Sequence, residues 1–556
     1  MKKMIKKTLM AAMLAASSIP ALASASSDSL WIRFDNRFKD NRFIMSLEGI
    51  DSIEFRASSN TSPIPIIRRY SDKWDKGYAD YRLNNVVGNA DGAALVVGDP
   101  GLILWKPTTS DANYNNDYKV DTNRWCFKHS QESEHFVVFW DKTFGELSST
   151  RKVTGSVSKL TVSITDLLAK AEKFYKTNVE KLKMCVTGKG QSQLDHYKIL
   201  IYLIDQTEWL ATGSGSDNKI GTLWVSPNTC QPVGSTIAHE IGHSFQYQTY
   251  CDNILQGKRN DMHSGFRYGY PNSNGGCGFW EQCAQWQSFQ DYPSEAINSY
   301  HFSVWISHCH RHFEHEWQRY ASYWEHYYWS EKNGMDALGR IWNESAYPED
   351  ANQAYMRIFL DNDYNTLRKQ LFEYAQHAAT FDFNAIRNYV GTAYNSYNTR
   401  LYTLADGWKQ ISYAQCPQPT GINVIPYTNG VSQGKKIKVT LRALPAGSDL
   451  ASIDPGKIVN GDGPTGETTT TYNKTAIAGH EGLAFGFVAL KTDGTREYGE
   501  MNIATTAEDA VATFTIPERT SKVFIVVQGS PDKYFQCPWD EKETTDNQCP
   551  YMIKIE

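Results

Sequence analysis

One stretch constrains this chain more than any other: Ser235 to Gln248, S-T-I-A-H-E-I-G-H-S-F-Q-Y-Q. At its centre stands His239-Glu240-Ile241-Gly242-His243, an H-E-x-x-H pattern. Two residues four apart on a helix lie about one turn apart on the same face, so both histidines reach one Zn²⁺. Glu240 projects beside that ion, where it takes a proton from the water the metal holds. Ser235 is placed to cap the helix. The plain alternative is a pair of helix histidines in polar surroundings, so the rest of the chain has to decide.

A two-histidine site needs a third protein ligand and keeps one position open for water. The loop-like stretch 252–278, rich in Gly, Asn and Ser, gives way to a second predicted helix, Phe279-Trp280-Glu281-Gln282-Cys283-Ala284-Gln285-Trp286. Glu281 on that helix is the first candidate. His263, Asp291 and Glu295 are its rivals. A carboxylate at a helix start also satisfies the macrodipole without any metal. The expected cofactor is one Zn²⁺ per chain.

Upstream of the motif the pattern is α/β. Phe136–Trp140 and Tyr197–Ile204 read as buried strands, and apolar residues from Leu167 to Leu182 recur at helical spacing after Thr165. Ile220–Val225 reads as a short strand that forms the sheet edge facing the cleft, where an extended peptide pairs by strand addition. Downstream lie His301, His308, His310, His312, His315 and His326. Their spacing matches no standard zinc pattern, and they are read as structural. Glu316–Ser330 reads as one helix, from which Tyr323 or His326 would donate a hydrogen bond to an oxyanion. Further helices run to about residue 412, and Cys416-Pro417-Gln418-Pro419-Thr420-Gly421 reads as a linker.

The two ends differ from this middle. Residues 1–25 carry Lys2, Lys3, Lys6 and Lys7, an apolar run from Leu9 to Ala16, and Ala23-Ser24-Ala25, the form of a secretory signal peptide. The first cysteine is Cys126, which disfavours a lipid anchor, and no other stretch reaches transmembrane length. The expected location is periplasmic or extracellular. Residues 26–117 read as a β-rich segment, with strands near Leu30–Phe34, Ile53–Phe55, Ala93–Val97 and Leu102–Trp105. From 422 to 556 several alternating strands without a helical run predict a β-sandwich, a possible carbohydrate contact. The metal domain is placed at 118–415, giving an α+β chain overall. Ten cysteines and expected export suggest disulfides, the close pairs being Cys277/Cys283, Cys537/Cys549 and Cys230/Cys251. A formal net charge of -5 with interspersed signs gives no footprint for nucleic acid or a membrane surface.

H-E-I-G-H followed by W-E-x-x-A-x-W resembles the gluzincin clan of zinc metallopeptidases. The likeness is nearer to a family of exported zincin-like proteins catalogued as a domain of unknown function. The matching features are Ser133–Val137, His239–His243 with Gln246, Trp280-Glu281 with Ala284 and Trp286, and Gly421–Pro426. The resemblance implies a zincin-like domain, zinc held by His239, His243 and Glu281, and Glu240 as general base. Gluzincins often place an Asp four residues after the ligand Glu to orient a histidine; Gln285 stands there in this chain. A weaker likeness is to enhancin-type mucin-cleaving peptidases. The expected activity is hydrolysis of peptide bonds in protein or glycoprotein substrates. The competing expectation is a non-catalytic protein that binds glycan or glycoprotein on the same scaffold.

Overall fold

The computed structural model describes residues 118–258, 278–445, 481–537 and 546–556 almost continuously, with isolated strands and short stretches elsewhere. The chain divides into two compact units, Met1–Lys106 and Pro107–Glu556. Described in the first unit are the strands Ser29–Arg33, Arg42–Ser46, Ile50–Ala57, Pro63–Tyr70 and Tyr78–Arg82. The first two pair with each other and the last three form an antiparallel sheet. Leu102, Leu104 and Trp105, expected in a strand, are irregular. The leader segment 1–25 and Ala93–Val97 lie outside the described residues.

The second unit is α+β. Its first layer is a five-stranded mixed sheet built from β1 (Ser130–Glu132), β2 (Phe136–Trp140), β3 (Ile199–Leu203), β4 (Ala211–Ser216) and β5 (Ile220–Val225). The spatial order is β4-β5-β3-β2-β1, with β2, β3 and β5 parallel and both edge strands antiparallel to their neighbours. β2 (F-V-V-F-W) and β3 (I-L-I-Y-L) are continuous apolar runs buried on both faces, as central parallel strands require. Helix α1 (Ile164–Lys176) covers the sheet with Ile164, Leu167, Leu168, Ala171 and Phe174. Its cap is Ser163, which accepts from Asp166 N–H, rather than Thr165.

The edge strand is β4, not Ile220–Val225 as expected. β5 is flanked by β4 on one side and β3 on the other. The sequence A-T-G-S-G-S hides β4 because it lacks the apolar alternation of a strand. The glycines have a packing reason. A Cβ on Gly213 would lie 2.7 Å from the carbonyl carbon of Glu240, and one on Gly215 would collide with the Tyr247 ring. The edge strand thus lies directly on helix α2 (Ser235–Leu255), which no side chain at these positions allows.

Helix α2 is buried almost along its whole length, from Ile237 to Asn253, between the sheet and helix α3 (Gly278–Phe289). Its N-cap residue is Gly234; Ser235 is the first helical residue and donates instead to Glu295 Oε2 at 2.5 Å. The block that follows includes α4 (Tyr300–His308), α5 (Trp324–Asn333), α6 (Ala351–Phe359) and α7 (Tyr364–Ala378). The single helix expected over 316–330 is broken: a 3₁₀ turn at Glu316–Gln318 precedes α5, which starts at Trp324.

The C-terminal strands form two sheets, one of Leu401–Thr403, Trp408–Ile411, Tyr551–Ile555, Lys436–Ala443 and Ala510–Thr515, the other of Ile422–Pro426, Thr520–Gly529, Leu483–Lys491, Arg496–Tyr498 and Asn502–Ala504. Alternate residues of both, Val439 and Leu441 from the first and Phe485, Phe487 and Ile525 from the second, pack into one core. That is a sandwich. Two of its strands, Leu401–Thr403 and Trp408–Ile411, lie ahead of the expected boundary at 415–422. Cys230, Cys537 and Cys549 are free thiols, so Cys230/Cys251 and Cys537/Cys549 are not bridged. Cys277 lies outside the described residues. No helix among the described residues is long and apolar enough to cross a membrane.

Candidate metal centre

Helix α2 presents His239 and His243 one turn apart, their ring centroids 4.6 Å apart and nearly perpendicular. Helix α3 packs across α2 and delivers Glu281 from its first turn. Glu281 Oε2 lies 3.2 Å from His239 Nε2 and 3.0 Å from His243 Nε2. These three groups form one cluster of potential ligand atoms. Burial alone would raise the Glu281 carboxyl, but the charges and hydrogen bonds of His243 and His239 outweigh it and hold it well below the usual carboxylate range.

The hydrogen bonds behind the ligands assign the histidine protons. His239 Nδ1 faces Gln285 Oε1 at 2.6 Å, and His243 Nδ1 faces Gln246 Oε1 at 3.0 Å. The orientation of Gln246 is fixed, because its Nε2 donates to Trp280 O at 3.0 Å and to Gln287 Oε1 at 2.9 Å. Gln287 in turn donates to Asn178 Oδ1 at 2.6 Å. A carboxamide oxygen accepts, so each Nδ1 carries a proton, and each Nε2 is the ring atom turned to Glu281, to which its N–H donates when no ion is bound. A metal ion here would take the place of the Nε2 protons, held by the two Nε2 lone pairs and the Glu281 carboxylate oxygen. Two imidazoles and a carboxylate are a donor set that zinc takes. The chain therefore fits the ion, with Gln285 in the place of an orienting Asp.

Glu240 is buried beside the ligands. Burial, together with the Glu281 charge, pushes its carboxyl up to about 7 against the opposing pull of His239 and a hydrogen bond from the Gly213 backbone. The edge strand β4 thus touches both the helix backbone and the Glu240 side chain.

The rival ligands are engaged elsewhere. Asp291 pairs with Lys173 at 3.0 Å, and Glu295 accepts from Ser235. His263 lies outside the described residues. The expected oxyanion donors are likewise not at the centre. Tyr323 is fully buried and donates to Ala296 O at 2.7 Å. His326 is fully buried among Phe279, Trp286, Phe313 and Trp329. The break ahead of α5 turns both inward. Two residues not assigned to the site from sequence lie beside it. Tyr320 donates to Glu281 Oε1 at 3.1 Å, with its ring centroid 6.0 Å from that of His239. His301 lies 6.1 Å from Tyr320, centroid to centroid. Burial, and then the charge of His239, lower its pKa to about 4, so it stays neutral. A signal was present in the histidine run and in Tyr320 of the Glu316–Ser330 stretch, but it became specific only once the chain turned at 319–323.

With this geometry in place, the chain belongs to a family of unknown function, DUF6055, whose profile matches residues 103–556. Neither the curated proteins nor the solved structures provide a match.

Proposed function

We propose that this protein is an exported zinc-dependent peptidase with a zincin-like active site, acting on protein or glycoprotein substrates. The observation that carries the reading is the convergence of His239 Nε2, His243 Nε2 and one Glu281 carboxylate oxygen, with Glu240 buried alongside. When bound there, zinc supplies Lewis-acid polarisation and a water acidified toward a pKa of about 7. Glu240 accepts a proton from the attacking water on a carboxylate oxygen and returns it to the leaving amine. Its burial suits that exchange, because a base with a pKa near the working pH both takes and gives a proton. The Tyr320 hydroxyl, which donates to Glu281, and the His301 ring beside it are the groups proposed as hydrogen-bond donors to an oxyanion. β4 is the edge strand of the sheet, where an extended substrate would pair, and Gly213 brings that edge to Glu240. The leader segment supports export, and the C-terminal sandwich is the part suited to carbohydrate contact on a glycoprotein.

The test is hydrolysis of a mixed peptide library and a mucin-type glycoprotein by wild type and by Glu240→Gln. The variant is expected to keep its metal and lose hydrolysis by at least a hundredfold. Full activity in a metal-replete Glu240→Gln protein would sink this mechanism.

A further inference from the structure

A second cluster of metal-ligand type lies in the histidine-rich stretch: His312, His315 and Asp546, whose ligand atoms lie within 4.8 Å of one another. All three are interior, at 3%, 1% and 3% exposure. Both histidines direct the same ring atom at one carboxylate. His315 Nε2 lies 3.0 Å from Asp546 Oδ2, and His312 Nε2 lies 3.9 Å from Asp546 Oδ1, beyond hydrogen-bond reach. The ring centroids are 4.9 Å apart.

The surrounding chain holds these groups in place. Gln418 Oε1 accepts the His312 backbone N–H at 2.9 Å, while its Nε2 donates to Asp546 Oδ2 at 3.0 Å. Gln318 Nε2 donates to His312 O at 2.8 Å. The segment read as a linker is locked onto this stretch: Gln418 N–H bonds to His310 O at 2.8 Å and Ile422 N–H to Cys309 O at 2.6 Å. His315 Nδ1 has a donor and an acceptor at hand, Trp317 N–H at 3.1 Å and Glu316 Oε2 at 3.4 Å. Without an ion, Trp317 donates to Nδ1 and Nε2–H donates to Asp546. With an ion on Nε2, the proton moves to Nδ1 and is given to Glu316, the partner a ligating imidazole commonly has.

We propose that His312, His315 and Asp546 bind a second divalent transition-metal ion, zinc in the first instance. Two imidazole nitrogens and one carboxylate suit borderline metals rather than calcium or magnesium, which favour oxygen. The burial makes the site structural, closed to substrate. It clamps the segment on which α3 begins, since Gln282 Nε2 donates to Phe313 O at 2.5 Å one residue after Glu281. The proposal does not rest on the peptidase reading.

The experiment measures zinc per chain by mass spectrometry after zinc loading and gel filtration, in wild type, Glu281→Ala, Asp546→Asn and the double variant. Expected are two zincs in wild type, one in each single variant and none in the double. One zinc in wild type and none in Glu281→Ala would overturn the second site while leaving the first intact. Zinc held equally by wild type and Asp546→Asn would also overturn it, as would a plain His–Asp hydrogen bond, which leaves Asp546→Asn without effect on metal content. Should Asp546→Asn fail to fold, cobalt-loaded Glu281→Ala decides: visible d–d absorption supports the site and a colourless protein overturns it.

Discussion

Replacing Gln285 by leucine is expected to weaken zinc binding at the Glu281 centre by about 10- to 100-fold. Gln285 Oε1 is the acceptor for His239 Nδ1–H at 2.6 Å, in a buried setting. Leucine keeps the bulk and removes the acceptor. The stranded N–H then costs about 1–3 kcal/mol in the ligating tautomer. At about 1.4 kcal/mol per tenfold, that cost gives the same range of affinity loss. Gln285→Glu makes the opposite change, because a carboxylate acceptor forms a charge-assisted bond about twice as strong and raises the basicity of His239. Competition against a fluorescent zinc chelator, read on the site that disappears in Glu281→Ala, gives both constants, and thermal melts check that each variant is folded. The order expected is Gln285→Glu tightest, then wild type, then Gln285→Leu. A leucine variant that binds zinc as tightly as wild type would refute the tautomer argument on which the ligand assignment rests.

Three further outcomes follow from the same geometry. Gly213→Ala drives a Cβ into the Glu240 carbonyl, 2.7 Å from its carbon and nearer still to its oxygen, against ordinary contact from 3.4 Å, so the edge strand must move; peptide hydrolysis is expected to fall tenfold or more with zinc content unchanged, since displacements near 1 Å cost about a hundredfold. Tyr320→Phe is expected to lower kcat at constant zinc content, whereas Tyr323→Phe, which loses its bond to Ala296 O away from the centre, is expected to lower Tm and leave kcat in place. Asp350 caps α6, and burial pushes its carboxyl up to about 7, with Glu314 beside it raised by burial and by Asp350 itself. A carboxyl with a raised folded pKa costs nothing while both states are protonated, and stability falls as pH rises from the unfolded value of about 4 to the folded value. Asp350→Asn keeps the cap and is expected to flatten the decline of Tm between about pH 4 and 7; an unchanged slope would contradict it.

The parts legible in the sequence were those whose physics is local. The two histidines and Glu240 follow from helical spacing, and Glu281 from the need for a donor on the next helix. The sandwich follows from strands such as Lys436–Ala443, where buried and exposed residues alternate. What stayed hidden depends on contacts between distant segments. β4 is written in glycine and serine because α2 lies against it, so it carries no strand pattern. Tyr323 and His326 pointed to the site only on a continuous helix, and the turn at 319–323 sends them into the core instead. Asp546 meets His315 from 231 residues away, a distance no spacing rule spans. That Gln246 and Gln285 stand behind the histidines was open to inference, but the carboxamide orientation of Gln246 emerges only from the network through Gln287 and Asn178.

The most direct test of the central claim is an anomalous difference map at the zinc edge, from crystals of protein purified without chelator. The account predicts a peak enclosed by Nε2 of His239, Nε2 of His243 and a Glu281 carboxylate oxygen, and the loss of that peak in Glu281→Ala. A map with no peak between those atoms in zinc-replete protein, or a peak that persists without Glu281, would contradict it.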